Sequence, residues 1–167
     1  MIFRDEGENS LLNTEGISLT LPDLEQKYRL RLSKAIRHLE YSFNKVNKMP
    51  VRLEENDEES LETWESFCAR FARVVDIFLT KWIKLKVKSS DPAFDGSLRD
   101  YLNQAEKMKL ISGVDRWLAT RELRNIQAHD YTDDELEKFL LSLKLESKFI
   151  IDELKDFKIA IQPPRKE

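Results

Sequence analysis

Cys68 is the only cysteine in the chain, so neither a disulfide framework nor a thiolate metal cluster is available. Two histidines, His38 and His129, are too few for a histidine-built zinc site unless carboxylates or a second subunit contribute. Glycine and proline are scarce, four and five in 167 residues, which removes the usual punctuation of a turn-rich β fold. No apolar run approaches the roughly 20 residues needed to cross a bilayer. The N-terminus, Met1-Ile2-Phe3-Arg4-Asp5-Glu6, turns polar at once and lacks the apolar stretch of a signal peptide. Charge of one sign is also lacking. The net charge of −3 argues against the broad basic surface that coats nucleic acid in general, yet leaves room for a small local phosphate site. The expectation is a cytoplasmic protein with no membrane segment, no bound metal and no cofactor.

What the chain does have is helix-forming material: 41% hydrophobic and 35% charged residues, rich in Leu, Lys and Glu. These unbranched side chains lose little rotamer freedom in a helix. Strand-like alternation is hard to find, and one all-α domain is expected over residues 22–160. Residues 1–21 read as an arm, partly disordered or laid on the core, and 161–167 as a tail.

From Pro22, the residues Leu24, Tyr28, Leu32, Ala35, Leu39, Phe43 and Val46 recur at steps of three or four, and Met49-Pro50 ends the segment. The opposite face is basic, with Lys27, Arg29, Arg31, Lys34, Arg37, Lys45 and Lys48 against Asp23, Glu25 and Glu40. Such a face is usually only solvated, but it could also guide a polyanion. A second helix, about 60–86, carries the widest apolar face, including Trp64, Phe67, Phe71, Val75, Phe78 and Trp82, and should be the centre of the core. Cys68 and the three tryptophans read as core residues, and His38 as surface. A third helix is expected over about 97–109 and a fourth over about 114–129. A last one follows the Thr132/Glu135 capping box and ends before Pro163-Pro164, on the order of 40 Å long.

One segment departs from what a bundle needs. Polar groups gather at Arg124-Asn125-Ile126-Gln127-Ala128-His129-Asp130-Tyr131, where the apolar pattern should continue. Arg121, Asn125 and His129 step by four and share a helix face, with Arg124 beside it. Arg124 and His129 lie about 140° apart around an ideal helix, so one straight helix does not aim both at one atom. Either the helix unwinds near His129, or two copies of the segment face each other across a dimer. Arginine offers a planar donor fork for phosphate, histidine can serve as general base and then acid, and Tyr131 adds a hydroxyl. These groups suffice to cleave RNA without a metal. The alternative is structural: a histidine late in a helix often only complements the dipole and free carbonyls, and Asn125 can bond a neighbouring backbone.

Leu123 to Tyr131 resembles the Arg-x4-His-x-Tyr signature of HEPN ribonucleases, particularly HepT-like toxins, in which Asn commonly follows the Arg as Asn125 does here. Tyr101 to Trp117 leading into Arg121-Glu122-Leu123-Arg124 is also similar to HepT-like and nucleotidyltransferase substrate-binding relatives. The likeness covers roughly residues 97–140, while the earlier helices agree only in general character. It implies a four- or five-helix up-and-down bundle that forms a homodimer with the motif in the cleft between protomers. By the same resemblance, Arg124 and His129 would be catalytic, with Asn125 and Tyr131 supporting; Arg121, one turn before Asn125, is from its position the further basic residue expected near the substrate. The implied function is an endoribonuclease toxin acting on RNA and neutralised by a cognate nucleotidyltransferase antitoxin, with Tyr131 a candidate for modification. A non-catalytic nucleotide- or substrate-binding module working with a nucleotidyltransferase is the alternative, and a purely structural adaptor a third. The longer N-terminal arm and extended last helix depart from compact HepT-like proteins and leave the subfamily open.

Overall fold

A computed structural model of the chain describes residues 19–52, 57–126 and 133–160, less the side chains of 133, 159 and 160. The architecture is all-α, a bundle of helices, with no strand among the described residues. Residues 1–18 of the expected arm 1–21 and the tail 161–167 lie outside the described residues, as does Thr132 of the expected capping box. No described helix is long and apolar enough to cross a membrane.

Helix α1, Leu21–Val46, starts on a reciprocal cap. The Thr20 hydroxyl accepts from the Asp23 N–H while the Asp23 carboxylate accepts from the Thr20 N–H, which satisfies two otherwise free donors. Pro22 fits this first turn, where its missing N–H costs nothing. The expected stripe is buried at Leu24, Leu32, Ala35, Leu39 and Val46, with Tyr28 and Phe43 packed partly against the core.

The second segment is longer than the sequence indicates. Helix α2, Glu58–Ile77, runs on through a π-helical stretch, Phe78–Ile83, into α3, Lys84–Ser90. It is the core's centre, as expected: Trp64, Phe67, Phe71, Phe78, Leu79 and Ile83 are all but fully buried. Arg70 of α2 reaches back to α1, donating to the His38 carbonyl at 3.3 Å and to the Ser42 hydroxyl. Lys86 of α3 pairs with Glu25 of α1 at 2.9 Å. Cys68 is half-buried against the core, and burial pushes its thiol up to about 11, so the thiolate needed for reaction is scarce at neutral pH.

Helix α4, Leu98–Lys107, opens on a second reciprocal cap between Ser97 and Asp100. It stops two residues short of the expected end. The Leu110 N–H reaches the Ala105 carbonyl and the Lys109 N–H reaches that of Glu106, each at 2.9 Å. This closure requires a left-handed residue at position 109, usually glycine, and Lys109 takes it with φ of 59°.

Helix α5, Val114–Asn125, and helix α6, Asp133–Glu153, complete the bundle. Trp117 of α5 is fully buried against Phe78, ring centroids 4.4 Å apart, and near Phe149 of α6 at 5.4 Å. Glu146 of α6 accepts from the buried Thr120 hydroxyl at 3.0 Å and pairs with Arg116 at 3.3 Å. The expectation of one long final helix is corrected. After the 21 residues of α6, about 30 Å, the chain tightens into a 3-10 turn, Lys155–Ala160. The tightening sets Phe157 edge-on to Trp82 at 5.0 Å and brings Lys158 to Glu40 at 2.6 Å.

Two predictions follow from the caps. Replacing Lys109 by Gly should raise unfolding free energy by roughly 0.5–1 kcal/mol, because left-handed backbone costs a side chain more than it costs glycine. Denaturant midpoints check this, and no gain would contradict it. Serine and threonine hydrogen bonds hold Asp23, Asp57 and Asp100 below the ordinary 3.8. A lowered carboxylate contributes stability that is full above the unfolded value and is lost as pH falls through the folded one. Ser97→Ala should therefore return the Asp100 midpoint toward 3.8 in a carboxylate NMR titration, and an unmoved midpoint would contradict the cap.

Candidate functional site

The site is built where α5 ends beside the middle of the α2–α3 rod. Leu123 is the last buried residue of α5, and Ile126 is 41% exposed with extended backbone, φ −71° and ψ 129°. Beyond Leu123 the helix gains no further core contact, and packing is what sustains a short helix. The expectation of a helix reaching residue 129 is thus corrected: α5 stops at Asn125. Of the expected four-step face, Arg121 and Asn125 stand on α5. His129 and Tyr131 themselves lie outside the described residues.

Arg121, Arg124 and Asn125 come together in one cleft of about 280 Å³. The other walls are Val75, Asp76, Leu79, Thr80, Lys84 and Leu98. The last turn of α5 therefore faces both sides of the α2–π junction. Three cations, Lys84, Arg121 and Arg124, stand against one carboxylate, so the lining carries two more positive than negative charges.

Asp76 is the residue that sequence reasoning missed. Its two oxygens accept side-on from Arg124, Oδ1 from Nε at 2.8 Å and Oδ2 from Nη2 at 2.7 Å. This two-point geometry is the strongest form of arginine–carboxylate pairing. Asp76 holds the Arg124 guanidinium above its usual range, chiefly through these hydrogen bonds, so Arg124 stays charged at any working pH. Both side chains are more than a third exposed, which limits the stability gained to on the order of 1 kcal/mol or less. The pair's consequence is orientation. A side-on carboxylate occupies the Nε–Nη2 edge and leaves the end-on Nη1–Nη2 edge for another acceptor. The remaining contact, Nη1 to Asn125 Oδ1 at 3.4 Å, is long for a hydrogen bond.

The backbone below Asp76 is unusual. The π-helical stretch begins two residues later, and the Thr80 hydroxyl donates to the Asp76 carbonyl at 2.7 Å. Single π turns occur frequently at functional sites. The available sequence signal was an acid set between Val75 and Ile77 in the most apolar part of the chain. That position is visible in the sequence, but its partner 48 residues away is not.

Asp76→Ala should lower unfolding free energy by no more than about 1 kcal/mol while freeing the Arg124 side chain. Arginine Nε–H exchange by NMR reads this directly. A protected Arg124 resonance in the wild type and a fast-exchanging one in the variant are expected. Equal exchange in both would contradict the pairing.

No protein-family model, no curated protein and no solved structure matches this chain.

Proposed function

We propose that the protein is a metal-independent endoribonuclease, the toxin of a toxin–antitoxin pair, whose site joins Arg124 and His129 in a cleft between two protomers. The observation that carries the reading is the state of Arg124: charged, held side-on by Asp76 in a cation-rich cleft, with its Nη1–Nη2 edge in only a long contact to Asn125 among the described residues. An arginine fixed in this way is preorganised for a non-bridging phosphate oxygen and loses little entropy on binding one. The resemblance of residues 123–131 to the HEPN signature supplies the second half of the reaction.

In that reaction the His129 imidazole takes the proton of a ribose 2′-OH. The oxygen attacks the adjacent phosphorus while the bond from phosphorus to the 5′ oxygen breaks. The leaving oxygen gains a proton, and the products are a 2′,3′-cyclic phosphate and a 5′-hydroxyl. Arg124 offsets the charge that develops on the phosphoryl oxygens, and Arg121 and Lys84 add to the positive field. Asn125 and Tyr131 orient the substrate. Exposed apolar side chains near the site (Ile126) and on α6 (Leu141, Leu145) offer surface for the second copy that the composite site needs. A cognate nucleotidyltransferase would be the antitoxin, and a nucleotide added to Tyr131 would put bulk and negative charge where the RNA phosphate sits.

The alternative is a binding module, in which the cleft holds a nucleotide or presents a substrate to a nucleotidyltransferase without cleavage. The engagement of Arg124 by Asp76 is compatible with it, since a fixed guanidinium binds phosphate whether or not a base is at hand.

The two readings separate in one experiment. Purified wild type should cut single-stranded RNA in the presence of EDTA and leave an all-2′-deoxy strand intact. Arg124→Ala and His129→Ala, both folded by circular dichroism, should each lose 10²-fold or more, the usual weight of one acid–base or charge-stabilising group. Cleavage undiminished in both folded variants overturns the nuclease assignment. Binding without cleavage in the wild type favours the binding module.

A further inference from the structure

A second depression lies on the other side of Asp76, between α1 and α2, with a volume of about 670 Å³. Arg31, Lys34 and His38 line it from α1, and Arg73 and Asp76 from α2. Its floor is small, made by Ala35, Ala69 and Ala72, so the cationic side chains stand above an open trough. Arg31, Lys34, His38 and Arg73 are all exposed, and among the described residues none of them is in an ion pair. The only carboxylate in the lining is Asp76, and it is already neutralised by Arg124. In a chain of net charge −3 the groove thus brings three charged cations, Arg31, Lys34 and Arg73, and one imidazole together around a carboxylate that is already neutralised.

We infer that this groove is a track for the sugar–phosphate backbone of a single-stranded nucleic acid, leading its phosphates past Asp76 to Arg124. The inference deepens the nuclease reading and rests on it for the identity of the strand as RNA. Three features select a phosphodiester backbone. Arg31, Lys34 and His38 fall at i, i+3 and i+7, one face about 10 Å long, so they form a row of donors along a line as a phosphodiester backbone presents its charges. The lining has no Phe, Tyr or Trp, the large rings that make stacking platforms for successive bases, so recognition falls chiefly on the backbone. The lining also lacks the large apolar or aromatic anchors that carry protein–protein contacts, since Ile77 is its largest apolar residue. The continuity is physical: Asp76 lines both the groove and the Arg124 cleft.

The test uses a fluorescent 12-nucleotide 2′-O-methyl RNA, which lacks the attacking hydroxyl and so reports binding alone. Anisotropy titrations at several salt concentrations compare wild type, the groove variant R31Q/K34Q/R73Q, and a control of equal charge change, K88Q/K107Q/K138Q, at exposed lysines elsewhere. For a single strand each neutralised phosphate contributes about 0.7 to the slope of log K against log salt. The groove variant, folded by circular dichroism, should bind at least tenfold more weakly at 0.1 M salt, with a slope smaller in magnitude by about 2. The control should keep most of the affinity, and homopolymers of different base should bind alike. The inference is overturned if wild type does not bind, if the groove variant keeps affinity and slope, or if the control loses as much. It is also overturned if the groove variant changes only the oligomeric state, which would make the groove a protein contact. Groove-dependent binding without RNA cleavage would leave this inference standing while the nuclease reading falls.

Discussion

The side-on pair between Asp76 and Arg124 joins the end of α5 to the middle of the long helical rod, and the chemistry of the candidate site depends on it. Packing makes the pair possible. Trp117, two helical turns before Arg124, is fully buried against Phe78, two residues after Asp76, so aromatic burial fixes the approach of the two helices. Two rings in such contact contribute on the order of 1 kcal/mol beyond the area they bury. The polar pair adds little to that stability. Its effect is to choose one orientation for a guanidinium that would otherwise sweep through solvent.

The charge pattern of the whole molecule follows the same line. Ion pairs spread over the bundle, as at Lys86–Glu25, Arg116–Glu146 and Lys158–Glu40, neutralise cations and tie elements together. What distinguishes the surroundings of Asp76 is the number of cations gathered about a single acid. Arg31, Lys34 and Arg73 on one side, and Lys84 and Arg121 on the other, have no anionic partner among the described residues. Asp76 stands between the two sets, and Arg124 occupies both of its oxygens. The local field is therefore positive although the net charge is negative, and such a field concentrates anions where it is focused.

Much of the bundle is legible in the sequence, because burial at steps of three and four is a local pattern. The α1 stripe from Leu24 to Val46 and the dense face from Trp64 to Trp82 both lie in the core as that pattern requires. Helix ends were less legible. The stop of α4 depends on Lys109 entering a conformation that residue type disfavours, and nothing in Met108-Lys109-Leu110 announces it. The π turn at Phe78–Ile83 has the same apolar spacing as an ordinary helix and is invisible to periodicity. In the site, Arg121, Arg124 and Asn125 could be read because they cluster in sequence, and they do share a cleft. Asp76 could not, since its role comes from a contact between elements far apart in the chain.

The central claim is that Asp76 presents Arg124 to a phosphate without giving it up. A crystal structure of the protein with a short 2′-O-methyl RNA, which the proposed reaction would leave intact, tests this most directly. The account predicts a non-bridging oxygen at the Nη1–Nη2 edge of Arg124 with Nε still bonded to Asp76. A guanidinium that has left Asp76 for the phosphate, or a phosphate bound out of reach of Arg124, would contradict it.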